Sequence, residues 1–320
     1  MGDERLPQRR IAVITTYRSA GAGMSVVEEL EPGCWISVLA PSEAEISKLE
    51  TELSVDRDFI RSALDEEESS RIESDEGQTL IVLDYPVAEK NDDDTFSYST
   101  LPMGLILTDA NVISVSLTEN SIIDDFAKGI VKNVNTKFKT QFVFCILLRI
   151  AAKYLQYLKQ IEKIFNYVQK QLHTSMKDEH LIQLLGLQKS LIYFSTSLKS
   201  TETVLEKLLR GRVIKLYDED QELLEDVLVE IKQAIEMSNI YTNILANTMD
   251  AYSNIISNNM NRVMKALTII TIVLEIPNII FAYYGMNTDL PLPYTWVAIV
   301  LAVVLAVFAT FVLLKSKFLK

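Results

Sequence analysis

Residues 261–293 read NRVMKALTIITIVLEIPNIIFAYYGMNTDLPLP. Within them Ala266 to Tyr284 is a run of nineteen residues with one charge, Glu275. A second run of nineteen, Trp296 to Leu314, holds a single polar side chain, Thr310. Each would extend about 28 Å as a helix, close to the thickness of a bilayer's hydrocarbon core. The sequence therefore predicts two membrane-spanning helices at the C-terminal end of the chain. Arg262 and Lys265 precede the first run, and Lys315, Lys317 and Lys320 follow the second. Basic flanks stay on the cytoplasmic side, so both termini are expected there and the Gly285–Pro293 connection outside.

Working outward, residues 261–320 carry five Lys or Arg against two acids, which leaves 26 against 41 in residues 1–260. The whole chain has 320 residues, a formal net charge of −12 and 48% hydrophobic residues. An acidic chain lacks the cationic surface that replaces phosphate counterions, so nucleic acid is excluded as a partner. Its mean hydropathy of +0.15 is too apolar for an acidic disordered protein. The opening MGDERLPQRR predicts no secretory signal or myristoyl site. Cys34 and Cys145 have no metal-ligand spacing, and a reducing compartment is expected.

Proline divides the rest. All eight prolines fall in residues 7–102 or 277–293, so 103–276 has none. Strands are predicted at Ile11–Tyr17, Cys34–Leu39, Thr79–Asp84, Gly104–Leu107 and Val112–Leu117, with helices at Ser42–Leu53 and Asp56–Leu64. Residues 1–118 thus form a small α/β domain, with the acidic runs Asp65–Glu68 and Asp92–Asp94 in its loops. Residues 119–260 read as a helical hairpin, over Phe138–His173 and Glu179–Leu209, and a long stalk helix. No Gly or Pro lies between Gly211 and Pro277, and Asp218, Glu219 and Asp220 favour a helix start. A single helix from Asp218 through Tyr284 would be about 100 Å long. After it come the pore span (261–284), the external loop (285–293), the second span (294–314) and a basic tail (315–320). The fold class is an α+β membrane protein.

Reading back from the end of the first run, Asn278, Glu275, Thr271, Thr268, Met264, Asn261, Ser257, Asn254 and Asp250 recur at steps of three and four. That is a mean step of about 3.5, one face of a supercoiled helix. Three readings compete for it: polar glue between helices, a two-helix anchor for a non-transport protein, and a water-filled pathway. Polar groups inside a span are costly unless they face protein or water, and the pathway is favoured. One chain supplies one such helix, so a pathway needs a symmetric homo-oligomer. Its neutral or acidic lining concentrates cations.

Tyr284-Gly285-Met286-Asn287 directly after this striped span, with a second span and a Lys-rich end to follow, resembles the CorA family of divalent-cation channels over the whole chain. The Val263–Ile270 stretch, VMKALTII, is also close to the family pattern. The resemblance implies a homopentamer in the cell membrane that takes up Mg²⁺, with Co²⁺ and Ni²⁺ as further ions. It implies a selectivity ring of Gly285, Met286 and Asn287, in which neutral oxygens meet a hydrated ion, as suits an ion that sheds water reluctantly. By the same match Asn278 is a polar ring just inside. Met264 and Leu267 form a hydrophobic gate, and Asn261 and Asp250 form rings toward the cytoplasm. Asp226 corresponds to an acid that holds regulatory Mg²⁺ between neighbouring subunits. Glu222, Glu225 and Glu230 are near it in sequence, and Asp65, Asp84 and the 92–94 run are candidate partners. Intracellular Mg²⁺ bound there would keep the gate shut.

Two features depart from the family pattern. Glu275 stands where the best-known members carry an apolar or neutral residue, and a ring of such carboxylates is expected to hold a cation or share protons. The loop TDLPLP leaves Asp289 as its only charge. Pro277 within the span predicts either a kink or a tolerated proline. An enzyme is not indicated: there is no phosphate loop, HExxH or organic cofactor motif, and His173 and His180 read as turn residues. The rival inside the family is a Zn²⁺ transporter of the same architecture, coupled to protons, for which an intramembrane Glu275 is suggestive.

Overall fold

The computed structural model describes residues 13–20, 23–90, 95–174, 177–211, 213–286 and 294–315. They form two compact units, one up to Ala246 and one from Asn247.

The first unit is built on a seven-stranded sheet of order β2-β1-β3-β7-β6-β5-β4. Its strands are β1 (Val13–Ala20), β2 (Gly23–Val26), β3 (Trp35–Leu39), β4 (Arg71–Asp75), β5 (Gln78–Lys90), β6 (Phe96–Leu107) and β7 (Val112–Ser116). Only β3 and β7 are parallel; the other neighbours are antiparallel. Strand side chains alternate between faces, and β3 divides accordingly. Ile36 and Val38 bury against Ile46, Leu49, Phe59 and Ile60 of α1 (Glu43–Leu53) and α2 (Arg57–Ser62). Trp35 packs on Phe126 and Phe142 and donates its indole N–H to Ser114 Oγ at 2.9 Å. Helices α3 (Ser121–Ala127), α4 (Lys139–Thr174) and α5 (Asp178–Leu209) cover that second face.

Local signals place these elements. Ser42 and Glu45 close a capping box at α1, Asp56 Oδ1 accepts from Asp58 N at 2.7 Å at α2, and Asn120 Oδ1 accepts from Ile122 N at 2.9 Å at α3. Each satisfies an otherwise orphaned helix-start N–H. Strands β2 and β4, and the outer halves of β5 and β6, extend beyond the sequence expectation. The prolines that marked boundaries lie inside strands: Pro86 pairs with Thr100 and Pro102 with Asp84. Strand β4 pairs with β5 only as far as Val82, and β7 pairs with β6 only from Met103. Among the described residues both prolines therefore sit where β5 and β6 pair with no third strand, so a nitrogen on the outer edge owes no ladder bond.

Helix α6 (Asp218–Tyr284) is one continuous helix that runs through Pro277. In the first unit its Leu224, Val227, Ile231 and Ala234 are fully buried, and Ser238 Oγ donates to Leu191 O of α5 at 3.1 Å. The second unit holds the rest of α6 and α7 (Thr295–Lys315). Among the described residues three helices are long and apolar enough to cross a membrane, α4 included. Burial separates them. The apolar window of α4 is 56% buried inside the protein, whereas those of α6 and α7 are 6% and 11% buried. The α4 residues pack the core, and α6 and α7 are the spans. Tyr283, Tyr294 and Trp296 stand exposed at the same end of the two spans, where amphipathic rings favour a membrane interface.

Candidate functional site

The second unit positions the polar stripe through one packing contact. Ile280 of α6 buries against Ala298 and Ala302 of α7, flanked by Ile276 and Tyr284. The small alanines of α7 make room for the Ile280 side chain, and packing against small residues is one way helices associate where lipid removes the hydrophobic driving force. The contact defines a face of α6. At about 100° per residue from Ile280, Asn278, Thr271 and Met264 lie about 160°, 180° and 200° around the helix, and Glu275 about 220°. Within the span, from Met264 to Asn278, the stripe therefore lies on the side of α6 away from α7, with Thr268 about 240° around. Asp250, Asn261, Thr268, Thr271, Glu275 and Asn278 are all exposed in the chain, as are Met264 at 54% and Leu267 at 55%.

Side-chain hydrogen bonds run along this face. Thr268 Oγ1 donates to Met264 O at 2.8 Å and Thr271 Oγ1 donates to Leu267 O at 2.9 Å. Bonding back to the i−4 carbonyl uses the hydroxyl proton inside the helix and leaves oxygen lone pairs directed outward. Asn278 Nδ2 donates to Glu275 Oε1 at 3.4 Å. Such a surface offers oxygen acceptors to water or a cation.

At the outer end α6 stops at Tyr284, with Gly285 N donating to Phe281 O at 2.9 Å and Met286 N to Tyr283 O at 3.3 Å. A Cβ on Gly285 would stand 3.2 Å from Phe281 O, so the small residue lets the chain leave the helix without crowding that carbonyl. Met286 is 56% exposed. Asn287 and Asp289 lie outside the described residues.

Asp226 is on the first unit, in a cleft of about 320 Å³ between the start of α6 and the residues leading into α4. Glu219 and Glu222 share that wall, and Asn133, Asn135 and Gln141 line the other side. These are hard oxygen donors of the kind Mg²⁺ takes. Among the described residues, however, no group of three or more His, Cys, Asp or Glu converges to hold a metal within one chain. The candidate partners separate. Asp65 is exposed and accepts from Glu67 N at 3.0 Å, and residues 92–94 lie outside the described ones. Asp84 is half-buried, and Tyr154 donates to its backbone carbonyl at 3.2 Å. Burial pushes its carboxyl above the usual range, against the hydrogen bond from Ser197. Cys145 lines the Asp226 cleft too, and burial pushes its thiol up, away from the thiolate that binds metals. Sequence reasoning missed the cleft because its amide wall comes from the connection before α4 and the first turn of that helix.

Residues 31–315 match the family model described as CorA-like Mg2+ transporter protein. The cobalt/magnesium transport protein CorA of Methanocaldococcus jannaschii is 28% identical over 291 residues, which cover 88% of this chain and 90% of that protein. Its complete structure, that of a CorA magnesium transporter, superposes with a TM-score of 0.80 at 24% identity, covering 97% of this chain and 99% of the other. The ZntB cytoplasmic domain from Vibrio parahaemolyticus shares the fold at a TM-score of 0.60 and 14% identity, over 77% of this chain and 98% of that domain.

Proposed function

The chain belongs to the CorA-like Mg2+ transporter family, and from that premise we propose that it is a divalent cation channel for Mg²⁺, with Co²⁺ and Ni²⁺ as further ions. Members of this family are integral membrane transporters, not enzymes. Five copies assemble with their α6 helices around a central pathway and their α7 helices outside. The observation that carries this reading is the placement of the polar stripe on the face of α6 opposite Ile280 and its α7 contact. A helix held on one side by its own chain and polar on the other, inside a bilayer, needs water or further copies against that polar side.

In this reading both termini are cytoplasmic and Gly285, Met286 and Asn287 form the external selectivity ring. Asn278 lies just inside it, Glu275, Thr271 and Thr268 line the span, and Leu267 and Met264 form its apolar constriction. Asn261 and Asp250 continue the lining toward the cytoplasm. A ring of exposed Met and Leu closes by dewetting until the helices move apart. Asp226 supplies the regulation. With no complete acid cage among the described residues of one chain, Mg²⁺ at its cleft is completed by a neighbouring copy, offsets the repulsion between acidic subunits and keeps the assembly shut.

Ion flux into liposomes holding the purified protein tests this. Mg²⁺ flux independent of a proton gradient, and lost in Asn287→Ala, is expected. Proton-dependent Zn²⁺ flux would move the protein to the Zn²⁺ transporter reading, and no flux of either ion would leave only a membrane-anchored role.

A further inference from the structure

Residues 266–314, which hold both spans and the loop joining them, contain no Lys, Arg or His. Glu275 is thus the one acid of the first span with no basic side chain of its own chain in either span to compensate it. The nearest on its helix is Lys265, ten residues earlier and about 15 Å along the axis. Among the described residues its only recorded polar partner is the Asn278 amide, 3.4 Å away. That bond uses the Asn278 nitrogen as donor and leaves Asn278 Oδ1 and the second Glu275 oxygen as acceptors. Both stand on the face turned away from the Ile280 contact with α7.

We propose that Glu275 and Asn278 from the assembled copies form a binding site for one partly dehydrated divalent cation, ligated directly by Glu275 carboxylate oxygens. This rests on the channel reading, since the ring needs several copies, and adds a second, chemically different station to it. The external ring offers neutral oxygens to an ion that keeps its water. Glu275 offers anionic oxygens at a depth where a carboxylate without counter-charge is costly. The counter-charge absent from both spans is supplied by the ion in transit. Asn278 is a positioning residue: it fixes the carboxylate along the helix wall and presents its own carbonyl oxygen beside it.

The test uses the full chain in nanodiscs with Mn²⁺ as the probe ion, measured by equilibrium dialysis. The waters on the bound ion are counted by electron-spin-echo spectroscopy in D₂O. Wild type is compared with Glu275→Gln, nearly isosteric, and Glu275→Asp, which keeps the charge, after each variant is shown to elute as the same oligomer. Glu275→Gln is expected to lose one Mn²⁺ per oligomer, that ion carrying fewer than six waters, and to change Mg²⁺ flux at least tenfold. Glu275→Asp is expected to retain the ion. An unchanged Mn²⁺ count in Glu275→Gln, or an extra ion with six waters, overturns the site. A Gln variant whose only change is the pH dependence of flux assigns the position to protons and also overturns it. Wild-type liposomes without Mg²⁺ flux would sink the channel reading while leaving the Mn²⁺ difference readable.

Discussion

Tyr241 of α6 donates its hydroxyl to Glu162 Oε2 of α4 at 2.8 Å. The bond ties the long helix to the hairpin within the first unit, five residues before Ala246, where that unit ends. Burial first, then the hydrogen bond and charge of Glu162, push the Tyr241 phenol up to about 12. The folded value lies above the ordinary ~10, so the stability this pair contributes is fully present below about pH 10. It is lost as pH rises from about 10 through 12. A hydrogen bond to a partly exposed carboxylate contributes about 1 kcal/mol. Tyr241→Phe is expected to lower stability by that amount at pH 8. In an ultraviolet titration of tyrosinate, the wild-type-minus-variant difference should show one tyrosine ionising near pH 12; ionisation near pH 10 would contradict the bond.

Gly104 of β6 lies against Ala63, which caps the end of α2. A Cβ there would stand 2.4 Å from the Cβ of Ala63, and both residues are in the buried layer. Overpacking of this kind costs about 1–3 kcal/mol. Gly104→Ala should lower the thermal midpoint of the first unit's unfolding, and adding Ala63→Gly should restore most of it, because neighbours in contact are not additive. Equal melting of Gly104→Ala and wild type would contradict the packing.

Removal of Mg²⁺ should loosen the assembly through Asp226. With EDTA, wild type is expected to become at least severalfold more sensitive to limited proteolysis, and added Mg²⁺ to reverse this. In Asp226→Asn the Mg²⁺ concentration giving half protection should rise about tenfold, the loss of one charged ligand at ~1.4 kcal/mol per decade. Identical Mg²⁺ dependence in the variant would return Asp226 to an ordinary exposed helix acid.

Much of this molecule was legible because its signals are periodic. Helix α6 begins at Asp218 and ends at Tyr284, as the acidic start and the Gly285 stop predict, and the stripe stood out as polar residues at one spacing inside a hydrophobic run. Strands β2 and β4 were not legible: RIESD and GMSV are polar or exposed edge strands without an apolar alternation. A signal for β4 was nevertheless there. Glu76 and Gly77, at φ 45° and 81°, make the two-residue turn between paired Asp75 and Gln78, and two positive φ values are what a type I′ hairpin requires. The direction of the stripe relative to α7 could not be read from spacing, since it depends on which side Ala298 and Ala302 occupy. The Asp226 surroundings were hidden for a different reason: the residues across the cleft are about ninety positions away along the chain.

The most direct test of the α6 pathway is cysteine accessibility along the first span, in a background with Cys34→Ala and Cys145→Ala. Single cysteines are placed at each position from Asn261 to Asn278 of the full-length protein in liposomes, and labelled with a charged, membrane-impermeant thiol reagent under EDTA. Labelling is predicted to peak at positions 264, 268, 271, 275 and 278 and to be at least tenfold slower at 269, 273 and 276, with Mg²⁺ slowing it on the stripe alone. Uniform labelling around the helix, or a stripe as unreactive as the α7-facing positions, would contradict a water-filled pathway.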